Sequence, residues 1–278
     1  MKVLVLGASG LIGNNILNVL LSKRNLTVLG LIRTASDKVL FPAIARDNLE
    51  ILEDLTDFKK LTRLIENLRP DVIINCAGIT KHRTSNALDV IALNAKLPHQ
   101  LALISEEYNF KLFHISTDCV FSGKKGDYTE ESLADPVDFY GKSKLLGEIL
   151  YGNSVTFRIS TVGNEIKNNY GLLNWFLSQN KQCLGYSKAI FSGLPTKFFA
   201  EILYRVLIEG KFYNGLYHIS SNPISKFSLL KLISLKYSRN INIIQEDKFI
   251  IDRSLNCSKF KTRFKIDVPD WDELINFL

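Results

Sequence analysis

Residues 2–13 read KVLVLGASGLIG, and this stretch decides the fold class. Its first part, Lys2–Leu6, is a run of valine and leucine after one lysine, a composition that favours a β-strand. The run ends at Gly7, and apolar residues then recur with a helical period over Asn14–Lys23, which predicts a helix lying on a sheet. A strand, a glycine-rich turn and a helix in this order form the first half of a βαβ unit.

The alternation continues through the first 160 residues. Five further strands are predicted, at Leu26–Ile32, Leu49–Leu52, Val72–Asn75, Lys111–Ile115 and Val155–Ile159. Helices are predicted between them, notably at Phe58–Leu68, Leu88–Tyr108 and Phe139–Leu150. Strands that alternate with helices at this spacing predict an α/β protein with a doubly wound parallel sheet, the Rossmann fold, covered by helices on both faces.

After about residue 160 the alternation becomes irregular. Helices are predicted at Leu172–Gln179, Thr196–Ile208 and Lys226–Ser234, separated by short strands such as Leu216–Ile219. We therefore expect a dinucleotide-binding domain over residues 1–160. Residues 161–278 are expected to form mainly a smaller C-terminal α/β lobe that binds the substrate, with some strands and helices returning to the main domain.

Charge and hydropathy argue against two classes of partner. The 278 residues include 35 Lys and Arg against 28 Asp and Glu, a net charge of +7. The basic residues are scattered and no nucleic-acid-reading motif is present, so we expect no nucleic-acid partner. The excess of positive charge suits a small polyanion such as a diphosphate better. Since no apolar stretch approaches ~20 residues, we expect no membrane partner and a cytoplasmic location.

The spacing of cysteines and histidines gives no sign of a metal site. The four cysteines lie far apart without a CxxC pair, which is typical of reduced cytosolic thiols. The four histidines, His82, His99, His114 and His218, do not share metal-ligand spacing. We therefore expect no bound metal.

Three glycines between the first strand and the first helix form a GxxGxxG pattern, in the context that a dinucleotide-binding loop requires. The chain must turn sharply at Gly7, Gly10 lets the backbone approach a diphosphate, and Gly13 lets the helix pack tightly on the strand. Backbone N–H groups at the start of the helix then bind the anion. The predicted contacts of this loop with the cofactor are Gly7, Ser9, Gly10, Leu11, Ile12 and Gly13.

The end of the second strand indicates which dinucleotide is bound. An NAD site usually carries an acidic residue here, which accepts from the ribose hydroxyls. This strand ends instead at Arg33. A guanidinium pairs with a 2′-phosphate that a carboxylate would repel, so Arg33 favours NADP(H). An exposed surface arginine without a ligand is the alternative.

Two later strand ends are expected to line the same cleft, because open α/β sheets bind ligands at the carboxyl ends of their strands. Asp54 follows the third strand, where a carboxylate can accept from the adenine amino group. The small residues Cys76–Gly78 follow the fourth strand and allow the backbone to approach the cofactor's ribose. A helix cap or a turn is the alternative for each segment. The predicted cofactor contacts outside the loop are Arg33, Asp54, Leu55, Cys76, Ala77, Gly78, Asn94, Tyr140 and Lys144.

A Tyr-x-x-x-Lys spacing in the middle of the chain predicts a catalytic pair. Tyr140 and Lys144 are four residues apart at the start of a predicted helix and therefore lie on one face. A nearby ammonium favours the phenolate and lowers the pKa of a tyrosine. Thr117 ends the fifth strand, where its hydroxyl can bind a substrate carbonyl. Together these groups predict carbonyl reduction, with a hydride from the nicotinamide, a proton from Tyr140 and orientation by Thr117.

Four segments resemble those of a known family. Over nearly its whole length the chain resembles an extended member of the short-chain dehydrogenase/reductase superfamily. More narrowly, the segments STDCVFSG at 116–123 and YGKSKLLGE at 140–148 resemble the STDxVFxG and YGxSKxxGE motifs of the dTDP-4-dehydrorhamnose reductase family. The segment RISTVG at 158–163 stands where that family has an RTSWVYG-like stretch, and Pro195-Thr196 matches its later Pro-Thr element.

The resemblance implies NADPH-dependent reduction of the 4-keto group of a nucleotide-linked 4-keto-6-deoxy sugar, in deoxysugar and surface polysaccharide biosynthesis. It implies that Thr117, Tyr140 and Lys144 are the catalytic residues. We expect a nucleotide-sugar partner in contact with Thr80, Asp118 and Thr161, and a homodimer is considered as well. Thr161 replaces a tryptophan that packs near the sugar in the family, so the particular sugar stays open.

Single positions argue against two other functions. A nucleotide-sugar 4,6-dehydratase usually has an acidic pair after the active-site threonine, whereas Cys119 follows Asp118 here. An epimerase that retains NAD usually has an acid where Arg33 stands. Two alternatives stay open: a bifunctional epimerase-reductase of a UDP-amino sugar, and a non-catalytic NADP-binding regulatory subunit. The basic loop at 81–83 (Lys-His-Arg) is either a contact for the substrate diphosphate or a solvated loop.

Overall fold

The computed structural model of the protein describes residues 1–81, 86–167 and 169–278. Over these residues the strands are β1 (Lys2–Leu6), β2 (Thr27–Ile32), β3 (Leu49–Ile51), β4 (Val72–Asn75), β5 (Lys111–Thr117), β6 (Ser154–Ile159), β7 (Thr161–Val162), β8 (Gln182–Tyr186), β9 (Ala189–Phe191), β10 (Leu194–Pro195), β11 (Gly215–Ile219), β12 (Ile224–Ser225), β13 (Asn242–Glu246) and β14 (Ile251–Asp252).

The α-helices of the described residues are α1 (Leu11–Leu21), α2 (Ala43–Arg46), α3 (Phe58–Leu68), α4 (Ala87–Ile91), α5 (Leu97–Glu107), α6 (Phe139–Leu146), α7 (Leu172–Leu177), α8 (Thr196–Ile208), α9 (Lys226–Lys236), α10 (Ser258–Phe264) and α11 (Trp271–Leu274). Short 3₁₀ segments are Ala35–Leu40, Asp118–Val120 and Ile275–Phe277, and a π-helical segment, Ala92–Lys96, joins α4 to α5.

Seven strands form the central sheet in the order β3-β2-β1-β4-β5-β6-β11, with every neighbouring pair parallel. Leu6 at the end of β1 pairs with Leu31 on one side and Asn75 on the other, so the loops after β1, β2 and β4 leave the same edge. The strand order reverses between β1 and β4, which is where such sheets hold a ligand. The predicted doubly wound parallel sheet is confirmed.

Alternate residues of β1 face opposite layers of the core, as the two-residue period of a strand requires. Val3 and Val5 pack with the apolar side chains of α1 and α8, whereas Leu4 and Leu6 pack with α3 and α5. All four are fully buried. Helices therefore cover both faces and leave the loop edge of the sheet open for a site.

The chain after residue 160 contributes to the main sheet and also forms small sheets of its own. β11 pairs with β6 at the sheet edge. The remaining strands form the sets β10-β7, β12-β9-β14 and β13-β8. A substrate lobe over 161–278 and a boundary at residue 160 stay predictions.

Two predicted helices end or break earlier than their apolar patterns indicate. The helix predicted at Leu88–Tyr108 is divided by the π-helical segment, because Pro98 has no amide hydrogen for the carbonyl of Asn94 four residues before it. The helix predicted at Phe139–Leu150 ends at Leu146, because Gly147 follows as its C-cap.

Candidate active site

The glycine-rich loop is shaped by contacts with the protein itself at two of its three glycines. Gly7 has φ +72°, and a Cβ there would lie 2.8 Å from the backbone of Ala77. A Cβ at Gly13 would lie 2.3 Å from the carbonyl oxygen of Gly7. At Gly10 the nearest atom would be 3.3 Å away. The fold therefore requires Gly7 and Gly13, whereas Gly10 keeps the floor of the loop open for a ligand.

A cleft of about 560 Å³ opens at the carboxyl ends of β1 to β4. Its lining includes most of the predicted cofactor contacts, namely Gly7, Ser9, Gly10, Arg33, Asp54, Leu55, Cys76, Ala77 and Gly78. The sequence did not indicate Glu53, Thr56, Ile79, Asp89 and Leu93, which also line it. Leu11, Ile12 and Gly13 lie behind this lining, in the first turn of α1. The strand ends thus meet in one site, as the parallel sheet predicts.

The two polar side chains predicted to select and orient the nucleotide are both exposed. Arg33 follows β2 at the rim of the cleft. Asp54 follows β3, and its Oδ1 accepts from the N–H and the hydroxyl of Thr56 at 2.8 and 2.7 Å. This turn fixes the carboxylate at the rim.

Asn94, predicted as a cofactor contact, is fully buried between the loop after β4 and helix α6. Its Oδ1 accepts from the N–H of Ile79 at 2.8 Å. Its Nδ2 donates to the carbonyl of Ile79 at 2.9 Å and to the hydroxyl of Ser143 at 3.0 Å. In this structure Asn94 holds the cleft wall against the catalytic helix, and direct contact with a cofactor stays a prediction.

Thr117 and Tyr140 lie side by side at the end of β5 and the start of α6. Asp138 caps this helix by accepting from the N–H of Gly141 at 2.7 Å, which fixes where Tyr140 enters the site. The Thr117 hydroxyl is close enough to the Tyr140 phenol to lower its pKa. Burial raises the pKa of Tyr140 well above its ordinary value. The phenol is therefore held protonated, as a proton donor to a carbonyl must be.

Lys144 lies one helical turn after Tyr140 and is 5% exposed. Its Nζ donates to the carbonyl of Ile115 at 2.6 Å. Burial lowers the pKa of Lys144 to about 8, against an opposing effect of Glu148. The expectation that the ammonium brings the pKa of Tyr140 below its ordinary value is wrong for this structure, because the effect of burying the phenol dominates.

A buried ion pair lies behind the catalytic residues. Arg158 of β6 forms two hydrogen bonds with Glu148, from Nε to Oε1 at 2.8 Å and from Nη2 to Oε2 at 2.7 Å, and both side chains are 5% exposed. Ser116, next to Thr117, donates to Glu148 Oε1 at 2.6 Å. The two motif residues, Glu148 and Arg158, thus join α6, β5 and β6; the sequence alone did not assign them this part.

Basic side chains from distant parts of the chain interact with the residues that follow Thr117. Arg253 donates from Nε to the carbonyl of Phe121 at 2.8 Å and from Nη1 to Cys119 Sγ at 3.5 Å. Lys226, half-buried at the start of α9, interacts electrostatically with Asp118, Lys81 and Arg253, and burial lowers its pKa. Three cations therefore interact electrostatically around Asp118, the residue after Thr117, a set that sequence spacing did not reveal.

The other predicted substrate contacts are less closely tied to this cluster. Thr161, in β7, is half-exposed and pairs with Leu194. Thr80 is exposed after β4. His82 and Arg83 of the predicted basic loop lie outside the described residues. Over residues 1–81, 86–167 and 169–278, no group of three or more His, Cys, Asp or Glu side chains is placed to hold a metal.

Comparisons with known proteins agree with this geometry. The chain matches the family described as the RmlD substrate binding domain over residues 1–277. A dTDP-4-dehydrorhamnose reductase of Aggregatibacter actinomycetemcomitans is 26% identical over 99% of this chain and 97% of its own length. The crystal structure of a hypothetical dTDP-4-dehydrorhamnose reductase from Sulfolobus tokodaii is 28% identical, with a TM-score of 0.79 over 98% of both chains.

A second solved structure supports the fold alone. The dTDP-4-dehydrorhamnose reductase of Bacillus anthracis, solved in complex with NADP, is 20% identical, with a TM-score of 0.79 over 99% of this chain and 97% of that one.

Proposed function

The chain belongs to the family of the RmlD substrate binding domain, and on that premise we propose that it is an NADPH-dependent reductase of nucleotide-linked 4-keto-6-deoxy sugars. The observation that carries this function is the protonated Tyr140 phenol at the start of α6, next to the Thr117 hydroxyl at the end of β5. The pair stands where a carbonyl oxygen is bound and protonated, at the edge of the sheet that also forms the cleft.

The chain's own groups supply the proton and the orientation. Bound NADPH supplies the hydride that adds to C4 of the sugar. Thr117 binds the carbonyl oxygen, and Tyr140 gives its phenolic proton to that oxygen as the C4 hydroxyl forms. Lys144 contributes a positive charge one helical turn below, which favours the phenolate that Tyr140 then becomes. Solvent returns the proton to Tyr140.

The site fits NADP(H) at the residues that would hold it. Gly10 leaves the loop open beside the first N–H groups of α1, where a diphosphate is bound in such folds. Arg33 is exposed at the cleft rim, where a 2′-phosphate is expected. Glu53, also in the lining, follows β3 rather than β2, and so does not take the usual place of the acid in an NAD site.

The substrate diphosphate is assigned to the basic cluster beside Thr117. Lys226 and Arg253 approach Asp118 from the C-terminal part of the chain, and Lys81 from the loop after β4. A diphosphate carries negative charge that these three cations offset. Thr80, Asp118 and Thr161 are the expected contacts of the sugar end. In the family's reductases the nucleotide is dTDP, as their names state.

The intact catalytic set argues against a non-catalytic regulatory subunit. A protein that only bound NADP would not need a buried lysine and a protonated tyrosine aligned on one helix face. Whether reduction is accompanied by epimerisation of the sugar is decided by analysis of the product. NMR identification of the product therefore tests the bifunctional alternative as well.

A homodimer through α4, α5 and α6 is part of the proposal. Leu88, Leu103 and Leu146, one on each of these neighbouring helices, are 77%, 68% and 66% exposed. Large apolar side chains that are this exposed are candidates for a protein interface. Sedimentation analysis should give a dimer that Leu103→Glu dissociates; a monomeric wild-type protein would contradict the proposed dimer.

A cytoplasmic location is proposed as well. Within the described residues, no helix is both long and apolar enough for a membrane span.

NADPH oxidation tests the function directly. The purified chain is assayed with 4-keto-6-deoxy sugars linked to dTDP, UDP, GDP or CDP, with products identified by NMR and NADH assayed in parallel. We expect turnover with the dTDP sugar and NADPH, a product reduced at C4, and loss of turnover in Tyr140→Phe. Failure of all four sugars, or full turnover by Tyr140→Phe, would contradict the proposal. Equal rates with NADH would contradict the role of Arg33.

A further inference from the structure

A chain of hydrogen-bonding groups leads from the loop after β4 to Lys144. The N–H of Ala77 donates to Asn75 Oδ1 at 3.1 Å. Asn75 Nδ2 lies 3.2 Å from His114 Nδ1, and His114 Nε2 lies 3.5 Å from Lys144 Nζ. Asn75 and His114 are fully buried, in β4 and β5 below the catalytic residues. The imidazole therefore faces Asn75 with Nδ1 and Lys144 with Nε2, and it has no contact with solvent.

The orientation of the Asn75 amide is fixed by its backbone partner. The N–H of Ala77 needs an acceptor, and only the oxygen of the amide can be one. The Nδ2 group of Asn75 must then face His114 as a donor. Since a donor is satisfied only by a lone pair, His114 Nδ1 is the acceptor and carries no proton.

This arrangement determines the tautomer of the imidazole. Burial, Lys144 and His99 lower the pKa of His114 far below its ordinary value, so the ring is neutral. A neutral ring without a proton on Nδ1 carries it on Nε2. The Nε2–H of His114 is therefore directed at Lys144 Nζ. It can donate to an uncharged amine, which has a lone pair, but not to an ammonium, which has none.

We propose that His114, held in its Nε2–H tautomer by Asn75, is a positioning residue that sets the charge state of Lys144. The ammonium retains the carbonyl of Ile115 as an acceptor, but it faces the imidazole donor to donor. The uncharged amine satisfies the imidazole as well. The ring thus favours loss of the proton from Lys144. It thereby lowers the pH at which the site loses its positive charge. This role rests on the proposed function, because the part of Lys144 in reduction gives it a consequence.

Three other groups bear on the charge of Lys144, either directly or through His114. Glu148, two residues after the end of α6, favours the ammonium but is itself paired with Arg158. Cys76, after β4, is held as a neutral thiol, because burial raises its pKa to about 12. His99, from α5, acts on the imidazole of His114. Burial and the imidazole donor therefore oppose one carboxylate that is already neutralised.

The tautomer can be measured without turnover. Long-range ¹H–¹⁵N spectra of cofactor-free protein labelled with ¹⁵N-histidine contain signals from four histidines, and His114→Gln identifies the one concerned. We expect the pattern of a neutral ring protonated at Nε2. Its shifts should follow a titration with a midpoint near the Lys144 pKa of about 8, and this titration should be absent in Lys144→Met. A ring protonated at Nδ1, or a charged ring, overturns the proposal.

The pH profile of turnover separates positioning from simple structural support. A glutamine at position 114 can turn an oxygen towards Lys144, so His114→Gln should raise the alkaline midpoint of kcat by roughly one pH unit. His99→Gln, a matched change on α5, should leave the midpoint in place. A lower kcat with an unchanged midpoint in His114→Gln would overturn the proposal. If no substrate is turned over, the proposed function fails, while the NMR result still decides the tautomer.

Discussion

The proposed reduction depends most on Tyr140, because burial keeps its phenol protonated beside the Thr117 hydroxyl. Tyr140→Phe removes the proton donor without removing the ring. We expect kcat to fall by roughly 10²- to 10⁴-fold, the usual contribution of a positioned acid, while NADPH binding measured by fluorescence is retained. Tyr151→Phe, at a half-exposed tyrosine stacked on His99, is the matched control and should stay active. Wild-type turnover by Tyr140→Phe would exclude it as the donor.

In the proposed reaction we expect Lys144 to determine the alkaline limit. Its pKa is lowered to about 8, so the side chain is charged below that pH and loses its charge as the pH rises through it. The pKa of Tyr140 is raised, so the phenol keeps its proton across this range. The rate of reduction should therefore fall as the pH rises through about 8. Lys144→Arg, which stays charged, should flatten that fall in whatever activity remains. A wild-type profile that stays level well above pH 8 would contradict this role.

At the scale of elements, the loop between β1 and α1 separates a glycine needed by the fold from one needed by the ligand. Gly13→Ala places a Cβ 2.3 Å from the Gly7 carbonyl and should lower the free energy of unfolding by about 1–3 kcal/mol, as overpacking does. Gly10→Ala meets its nearest atom at 3.3 Å and should keep the stability close to wild type. It should instead weaken NADPH binding by roughly tenfold or more. Thermal unfolding and NADPH titration of both variants measure this, and unchanged NADPH affinity in Gly10→Ala would contradict the placement of the diphosphate.

The elements of the first half were predictable because each is specified locally. The strand KVLVL at 2–6 and the helix Phe58–Leu68 have the bounds that their apolar periods predict. The break at Ala92–Lys96 was missed because apolar residues continue through it, while Pro98 changes only the hydrogen bonding. The β8–β13 pair was missed as well, since its partners are about 60 residues apart and exposed residues interrupt both strands.

At the scale of the whole molecule, the buried pair Arg158–Glu148 connects the segment after α6 to the central sheet. Arg158→Met leaves the Glu148 carboxylate buried without its partner, which typically costs about 3–5 kcal/mol of unfolding free energy. Arg205→Met breaks an exposed pair with Glu209 on α8 and should cost less than about 0.5 kcal/mol. Denaturant unfolding of both variants measures the difference. Equal, small effects would mean that the Arg158 pair contributes little to stability.

The candidate site was predictable where motifs mark it and not where the fold assembles it. The glycines, Thr117, Tyr140 and Lys144 belong to short patterns, and the parallel sheet places the strand ends at one edge. Lys226 and Arg253 stand more than 100 residues after Thr117 in the sequence, and no local pattern links them to it. The raised pKa of Tyr140 also depends on burial, which spacing along a helix does not reveal.

Transfer of hydrogen from NADPH to the sugar tests the proposed function most directly. The chain is incubated with a dTDP-linked 4-keto-6-deoxy sugar and with NADPH deuterated at C4 of the nicotinamide, on each face in turn, and the product is examined by NMR. We predict one deuterium at C4 of the sugar from one of the two cofactors, and a transfer that is roughly 10²- to 10⁴-fold slower with Tyr140→Phe. Deuterium elsewhere in the product, or a sugar left unreduced while the protein binds NADPH, would contradict a 4-keto reductase.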